Sequence, residues 1–311
     1  MPLSVGHSVL VSTLSVIVAP FAFYTFFLGI STVPYLQRHF LYAHKINTLL
    51  FYDVNDPEYW GFAIHGNAGH IAQAIRPDSY HALTDTSSYH VLAIDYRGFG
   101  HSSGAPNEQG LIQDATTVLE WAMKDLGIPS QQIVLLGQSL GTAVASGVAE
   151  KYSAQGVEFA GIVLVAGFSD LATMISGYKV FGLIPLMGPF SYWPAFVRAL
   201  ERYVVDKWHS ADRLASIVRN TTTRLRLSIL HARDDKDIPW TEDNKLFKAA
   251  ASEIAGGLDD AEFDAQKEQR TIHKGKDSFV TTWIAEPNMV IRQELIPHGG
   301  KSWFIKSTGS L

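Results

Sequence analysis

Ser139 lies in Gly137-Gln138-Ser139-Leu140-Gly141, a G-x-S-x-G run preceded by the apolar Ile133-Val134-Leu135-Leu136 and followed by a stretch with helical apolar spacing. A serine on a sharp strand-to-helix turn is held in a strained backbone conformation, and flanking glycines remove the side chains that would collide there. The turn lifts the hydroxyl clear of the sheet and aims it at the helix N-terminus, which makes Ser139 a candidate nucleophile. A serine hydroxyl needs a base, and the base needs an acid to orient it. On a turn of this kind the partners follow in chain order Ser, acid, His. The apolar run Arg224–His231 leads into Ala232-Arg233-Asp234-Asp235-Lys236-Asp237-Ile238-Pro239, where three aspartates compete for the role of acid. Asp234 and Asp237 also suit turn and helix-capping chemistry. His298, in Pro297-His298-Gly299-Gly300 just past the last apolar run, is the candidate base; the other histidine downstream of the acid, His273, falls in a polar stretch.

An acyl-transfer site also needs two N–H donors for the developing oxyanion. One is the backbone N–H of Leu140, directly after the nucleophile. The other is the backbone N–H of Asn67, in the His65-Gly66-Asn67-Ala68-Gly69 loop. Glycines at positive φ in a tight loop explain part of that run as well. Other chemistries find no support. The chain has no cysteine, no G-x-x-x-x-G-K-[ST] and no HExxH, and no acidic residue lies beside or between His65 and His70 to complete a zinc site. The site as read requires neither cofactor nor metal. A formal net charge of −5 gives no basic field for nucleic acid.

Positioning these residues takes a particular architecture. The segments 59–65, 90–95, 133–138, 161–166, 224–231 and 289–296 read as strands, with helical spacing over 108–126 and 140–152. Strands alternating with helices imply a mostly parallel sheet covered on both faces, with the site at the carboxyl ends of the strands. The stretch from Phe168 to Tyr203, rich in aromatic residues and proline, is too long for a simple crossover and reads as a cap; the expected insertion spans about 168–220. Met1 to Gln37 contains no Asp, Glu, Lys or Arg, and Val9 to Ile30 is long enough to cross a bilayer as a helix. A membrane anchor over 1–37, followed by one domain over 38–311, is the expected organisation.

Taken together, the HGNAG loop, Asp95-Tyr96-Arg97-Gly98-Phe99-Gly100 with Ser102, Ser103, Gly104 and Pro106 after it, the GQSLG turn and the HARDDKDIP segment resemble the membrane-anchored α/β-hydrolase-domain lipases. That group includes monoacylglycerol and lysophosphatidylserine lipases of the endoplasmic reticulum and their fungal relatives. The resemblance runs from about Leu41 to His298. It implies an α/β-hydrolase fold with an inserted cap, a lipid ester as substrate and a single-pass membrane protein. It also implies that the acid is the second of the paired aspartates, four residues after His231, which is Asp235. The likeness departs at the C-terminus. Fungal relatives often carry a second histidine after HGG, where this sequence has Lys301, and the tail to Leu311 reads as truncated before a closing helix. A catalytically impaired relative that binds lipid, and a peptidase or thioesterase on the same scaffold, are the competing readings.

Overall fold

A computed structural model of the protein describes residues 42, 62–73, 76–85, 90–177, 179–180, 184–185, 195, 202–256, 258–286 and 288–299. Its centre is an eight-stranded sheet. The strands are β1 (Phe62–Ile64), β2 (Leu92–Ala93), β3 (Val134–Gln138), β4 (Gly161–Val165), β7 (Leu225–Ala232), β8 (Thr271–His273), β9 (Phe279–Ala285) and β10 (Met289–Ile296), in the order β2-β1-β3-β4-β7-β10-β9-β8. All pairs from β2 to β10 are parallel; β9 and β8 add two antiparallel pairs at one edge. The short β5 (Lys179–Val180) and β6 (Ile184–Pro185) form a separate antiparallel hairpin.

The helices are α1 (Arg76–Asp85), α2 (Glu108–Lys124), α3 (Leu140–Ser153), α4 (Leu171–Gly177), α5 (Ser210–Asn220), α6 (Thr241–Ile254) and α7 (Asp260–Gln269). Successive strand residues face opposite sides of a sheet. Leu135, Leu164, Leu227, Ile229 and Ile291 are buried in the main core with Val144, Leu214 and Phe247 of α3, α5 and α6. On the other side Leu83 of α1 packs with Leu136, Val163 and Val165. Helices therefore cover both faces, as the alternating pattern requires. Local chemistry sets several helix ends. The Asn107 side chain accepts the Gly110 N–H at the start of α2, and Asp259 and Glu262 form a capping box on α7.

The expected insertion over 168–220 is pinned at both ends by buried polar groups. At its start, Glu242 accepts the backbone N–H and the hydroxyl of Ser169, at 2.9 and 2.6 Å. At its return, Glu108 accepts the Trp208 N–H and pairs with Arg213, while Asp206 accepts the Glu108 N–H and the Tyr42 hydroxyl. A buried carboxylate must be satisfied in this way to be tolerated. Helix α5, inside that span, packs in the helical layer through Leu214, Ile217 and Val218. Much of 178–201 and all of the expected anchor over 9–30 lie outside the described residues. Among the described residues, no helix is long and apolar enough to cross a membrane.

Candidate active site

Strand β3 turns into α3 through Ser139, which has φ 53° and ψ −119°. Positive φ at a residue with a side chain costs about 1–3 kcal/mol, so the surroundings must hold it. The Ser139 N–H donates to Val165 O at the end of β4 (2.9 Å), and Ser139 O accepts from the Thr142 N–H (2.9 Å) and hydroxyl (2.6 Å). The glycines of the turn have steric causes. A Cβ on Gly141 would lie 1.9 Å from Ile64 O, and one on Gly137 would lie 2.5 Å from Gly141 O. The turn is thus pressed against the end of β1. No side chain caps α3, so its first N–H groups, Leu140 included, face the nucleophile's end of the helix.

The HGNAG loop leaves β1 beside this turn. A Cβ on Gly66 would sit 3.1 Å from Ser139 Cβ and 3.7 Å from its hydroxyl oxygen, so a side chain at 66 would crowd the candidate nucleophile. Ala68 and Gly69 both have positive φ, 61° and 73°, which folds the loop back on itself. The Arg76 guanidinium at the start of α1 donates to four of its carbonyls. Nη1 bonds His70 O (2.6 Å), and Nη2 bonds Gly66 O (3.2 Å), Asn67 O (3.2 Å) and Ala68 O (2.8 Å). Asp95 accepts the Ile71 N–H at 2.8 Å and secures the loop's far end. The His65 ring is buried against Tyr96 and Phe99, with Nδ1 2.7 Å from Gly66 O. Burial first, and then the nearby Arg76 charge, push its pKa down to about 3. The ring is therefore neutral at ordinary pH. The Asp-Tyr-Arg-Gly-Phe-Gly run is scaffolding for this loop. The Tyr96 hydroxyl donates to His65 O, and Arg97 makes a bidentate pair with Asp114.

The acid and base candidates come from adjacent strand ends. Ile296 of β10 pairs with Ala232 of β7, and the Arg233 N–H donates to Ile296 O, so the two loops leave the sheet side by side. The Asp235 carboxylate is buried. Its Oδ1 accepts the N–H groups of Asp237 (2.8 Å) and Ile238 (3.1 Å), while its Oδ2 is buried without a hydrogen-bond donor and lies 3.7 Å from His231 Nε2. His231 itself is buried, with Nε2 3.0 Å from Ile238 O and Nδ1 2.9 Å from Asp243 Oδ1. Burial opposes its charge, but the carboxylates of Asp243 and Asp235 prevail and hold its pKa above the usual histidine value. His298 has its side chain 86% exposed, and its Nδ1 lies 3.9 Å from Asp234 Oδ2. The neighbouring Gly299 N–H donates to Asp234 Oδ1 at 3.0 Å. The carboxylate beside His298 is thus that of Asp234, and Asp235 faces His231.

A sequence profile described as the alpha/beta hydrolase fold matches residues 63–289. The chain belongs to the α/β-hydrolase fold family. Protein ABHD12B of Homo sapiens is 34% identical over 193 residues, which make up 60% of this chain and 48% of that protein. Lysophosphatidylserine lipase ABHD12 of Danio rerio is 29% identical over 189 residues, 60% of this chain and 46% of that one. The chain spans about half the length of the curated relatives it matches. A solved α/β hydrolase from Vibrio vulnificus aligns with a TM-score of 0.46 at 20% identity, over 63% of this chain and 62% of that one. The resemblance to α/β-hydrolase-domain lipases read from the motifs is thereby shown.

In this hydrolase fold Ser139, Leu140 and Gly66–Asn67 meet at one place, and Asp235 and His298 occupy adjacent loops at the same carboxyl edge of the sheet. Lys301 and most of the aromatic cap segment lie outside the described residues. Among the described residues no group of three or more His, Cys, Asp or Glu side chains is arranged to hold a metal. Two polar residues next to the candidate site are not evident from the sequence. The Arg76 guanidinium donates its hydrogen bonds among the described residues to backbone carbonyls, which leave no trace in side-chain spacing. His231 reads as the last residue of a strand, and its pairing with Asp243 joins residues from separate elements.

Proposed function

We propose that the chain is a serine hydrolase that cleaves a carboxylic ester carrying one long acyl chain, such as a monoacylglycerol or lysophospholipid. The observation that carries this reading is the backbone of Ser139, φ 53° and ψ −119° at a helix start with no side-chain cap, beside Gly66, where an added Cβ would crowd it. In the proposed reaction Ser139 Oγ attacks the ester carbonyl and His298 takes its proton. The N–H groups of Asn67 and Leu140 hold the oxyanion. Collapse expels the alcohol, which receives its proton from His298. Water activated by the same histidine then releases the fatty acid and restores the serine. Asp235 orients the imidazole; a buried Oδ2 without a donor suits it as acceptor for a ring N–H. The reading requires His298 to turn from Asp234 towards Asp235.

The lipid class rests on the relatives named lysophosphatidylserine lipase and on the apolar cap sequence. The charge-free Val9–Ile30 stretch would anchor the chain in a membrane, with the endoplasmic reticulum implied by the resemblance. Release of the full chain from membranes by a carbonate wash would argue against the anchor. The test of activity is fatty-acid release from a monoacylglycerol and from a lysophospholipid. The parent chain should turn over at least one of them faster than a peptide amide, and Ser139→Ala should turn over neither. A faster amide would move the chain to the peptidases.

A second reading has its own observation. The highly exposed His298 ring, set beside Asp234 rather than Asp235, fits a catalytically impaired relative that binds lipid. Lys301→His decides between them. A large gain in turnover favours impairment, and an unchanged rate favours His298 as the base.

A further inference from the structure

We propose that Arg76 is the positioning residue of the oxyanion hole, acting through the Gly66–Asn67 peptide; the inference rests on the serine-hydrolase reading above. In a trans peptide the C=O and the following N–H point in opposite directions. Gly66 O and the Asn67 N–H belong to one such unit, so whatever holds the oxygen aims the donor. Arg76 Nη2 holds that oxygen at 3.2 Å. It also bonds Asn67 O and Ala68 O, and Nη1 bonds His70 O, so four successive or near-successive carbonyls of the loop converge on one guanidinium. Convergence of this kind fixes the planes of the loop rather than the position of a single atom. The peptide it fixes starts at Gly66, where an added Cβ would lie 3.1 Å from Ser139 Cβ.

His65 completes the clamp. Its Nδ1 lies 2.7 Å from the same Gly66 O, while its Nε2 lies 3.5 Å from Asp95 Oδ1. Because a carbonyl oxygen can only accept, the Nδ1–Gly66 O hydrogen bond needs the ring proton on Nδ1. Gly66 O thus receives two donors. A carbonyl that accepts a charged donor polarises its own peptide and makes the N–H across it a stronger donor. Arg76 has no carboxylate within ion-pair distance among the described residues, so its charge is spent on carbonyl dipoles. It supplies positive potential one peptide away from the place where negative charge develops. A purely structural fastener of the loop would need the hydrogen bonds but not the charge or the aim.

The test compares a carbonyl ester with its thionoester, in which sulfur replaces the carbonyl oxygen and fits an oxyanion hole poorly. The proteins are the full-length parent chain, Arg76→Gln, Arg76→Lys and Ser139→Ala. With the folded fraction of each matched by far-UV circular dichroism, Arg76→Gln should lose roughly 10- to 100-fold in kcat on the carbonyl ester, with KM within about twofold. Its loss on the thionoester should be smaller, so the ratio of the two rates shrinks. Arg76→Lys, which keeps the charge and one donor, should fall between the two. If Arg76→Gln does not fold, the Arg76→Lys ratio carries the test alone. An unchanged ratio, with both substrates slowed in parallel, overturns the proposal and leaves the serine-hydrolase reading standing. A parent chain without esterase activity, or Ser139→Ala that keeps it, overturns that reading and this inference with it.

Discussion

At the scale of single residues, the site divides into a part that reads directly from the sequence and a part that depends on buried polar contacts. Ser139 and its glycines are legible because each has a local steric cause: Gly141 must clear Ile64 O and Gly137 must clear Gly141 O. The acid is less direct, since Asp234 and Asp235 are neighbours with opposite surroundings. Asp234 receives the Gly299 N–H beside His298, whereas the Asp235 carboxylate is buried with one oxygen bound twice and the other without a donor. Asp235→Asn is expected to lower kcat by roughly 10³-fold or more, and Asp234→Asn by less than about tenfold. Steady-state ester hydrolysis distinguishes them, and the reverse order would reassign the acid to Asp234. His65 makes a separate prediction for stability. Its folded pKa is about 3 against an unfolded 6.5, so between those values the unfolded chain binds a proton that the folded chain refuses. Its contribution is complete above pH 6.5 and is lost as pH falls towards 3, with a slope of up to about 1.4 kcal/mol per pH unit. Urea midpoints of the parent between pH 6.5 and 4.5 should fall with acid, and His65→Gln should flatten that dependence.

At the scale of elements, the six parallel strands and the helices after β2 and β3 follow from apolar periodicity and the turn that joins β3 to α3, whereas α1 after β1 does not. The antiparallel β8–β9 hairpin does not appear in the sequence reading. Thr271–His273 sits in a polar stretch, and Phe279–Ala285 interrupts its apolar alternation with Thr281 and Thr282. Its strand character comes from pairing with β10 across seven registered positions, from Met289↔Ala285 to Leu295↔Phe279. Tertiary pairing of that kind outweighs weak local propensity. The close approach of α3 to β1 gives the element-level test. A Cβ at 141 meets the main chain, which cannot rotate away as a side chain can. Gly141→Ala should destabilise by about 3 kcal/mol, read from the urea midpoint, and should slow ester hydrolysis in whatever fraction stays folded. Stability equal to the parent's would mean that the turn is not packed against β1.

At the scale of the whole molecule, one sheet edge collects what lies far apart in the chain. The HGNAG loop after β1, the serine after β3, the aspartates after β7 and His298 after β10 all leave carboxyl ends of parallel strands. That convergence is a property of the α/β topology, so chain order alone indicated it. What chain order does not convey is which ring nitrogen meets which carboxylate, because that depends on loop conformations a few residues long. The loop around Gly66 shows the same limit: its motif is plain in the sequence, but the arginine that orients its carbonyls comes from the next helix. The proposed chemistry starts at Ser139 as the nucleophile. Its most direct test is to treat the parent chain with a fluorophosphonate, digest it and locate the adduct by mass spectrometry. The account predicts a single phosphonylated residue, Ser139, and no labelling of Ser139→Ala; an adduct on another residue, or equal labelling of both proteins, would contradict it.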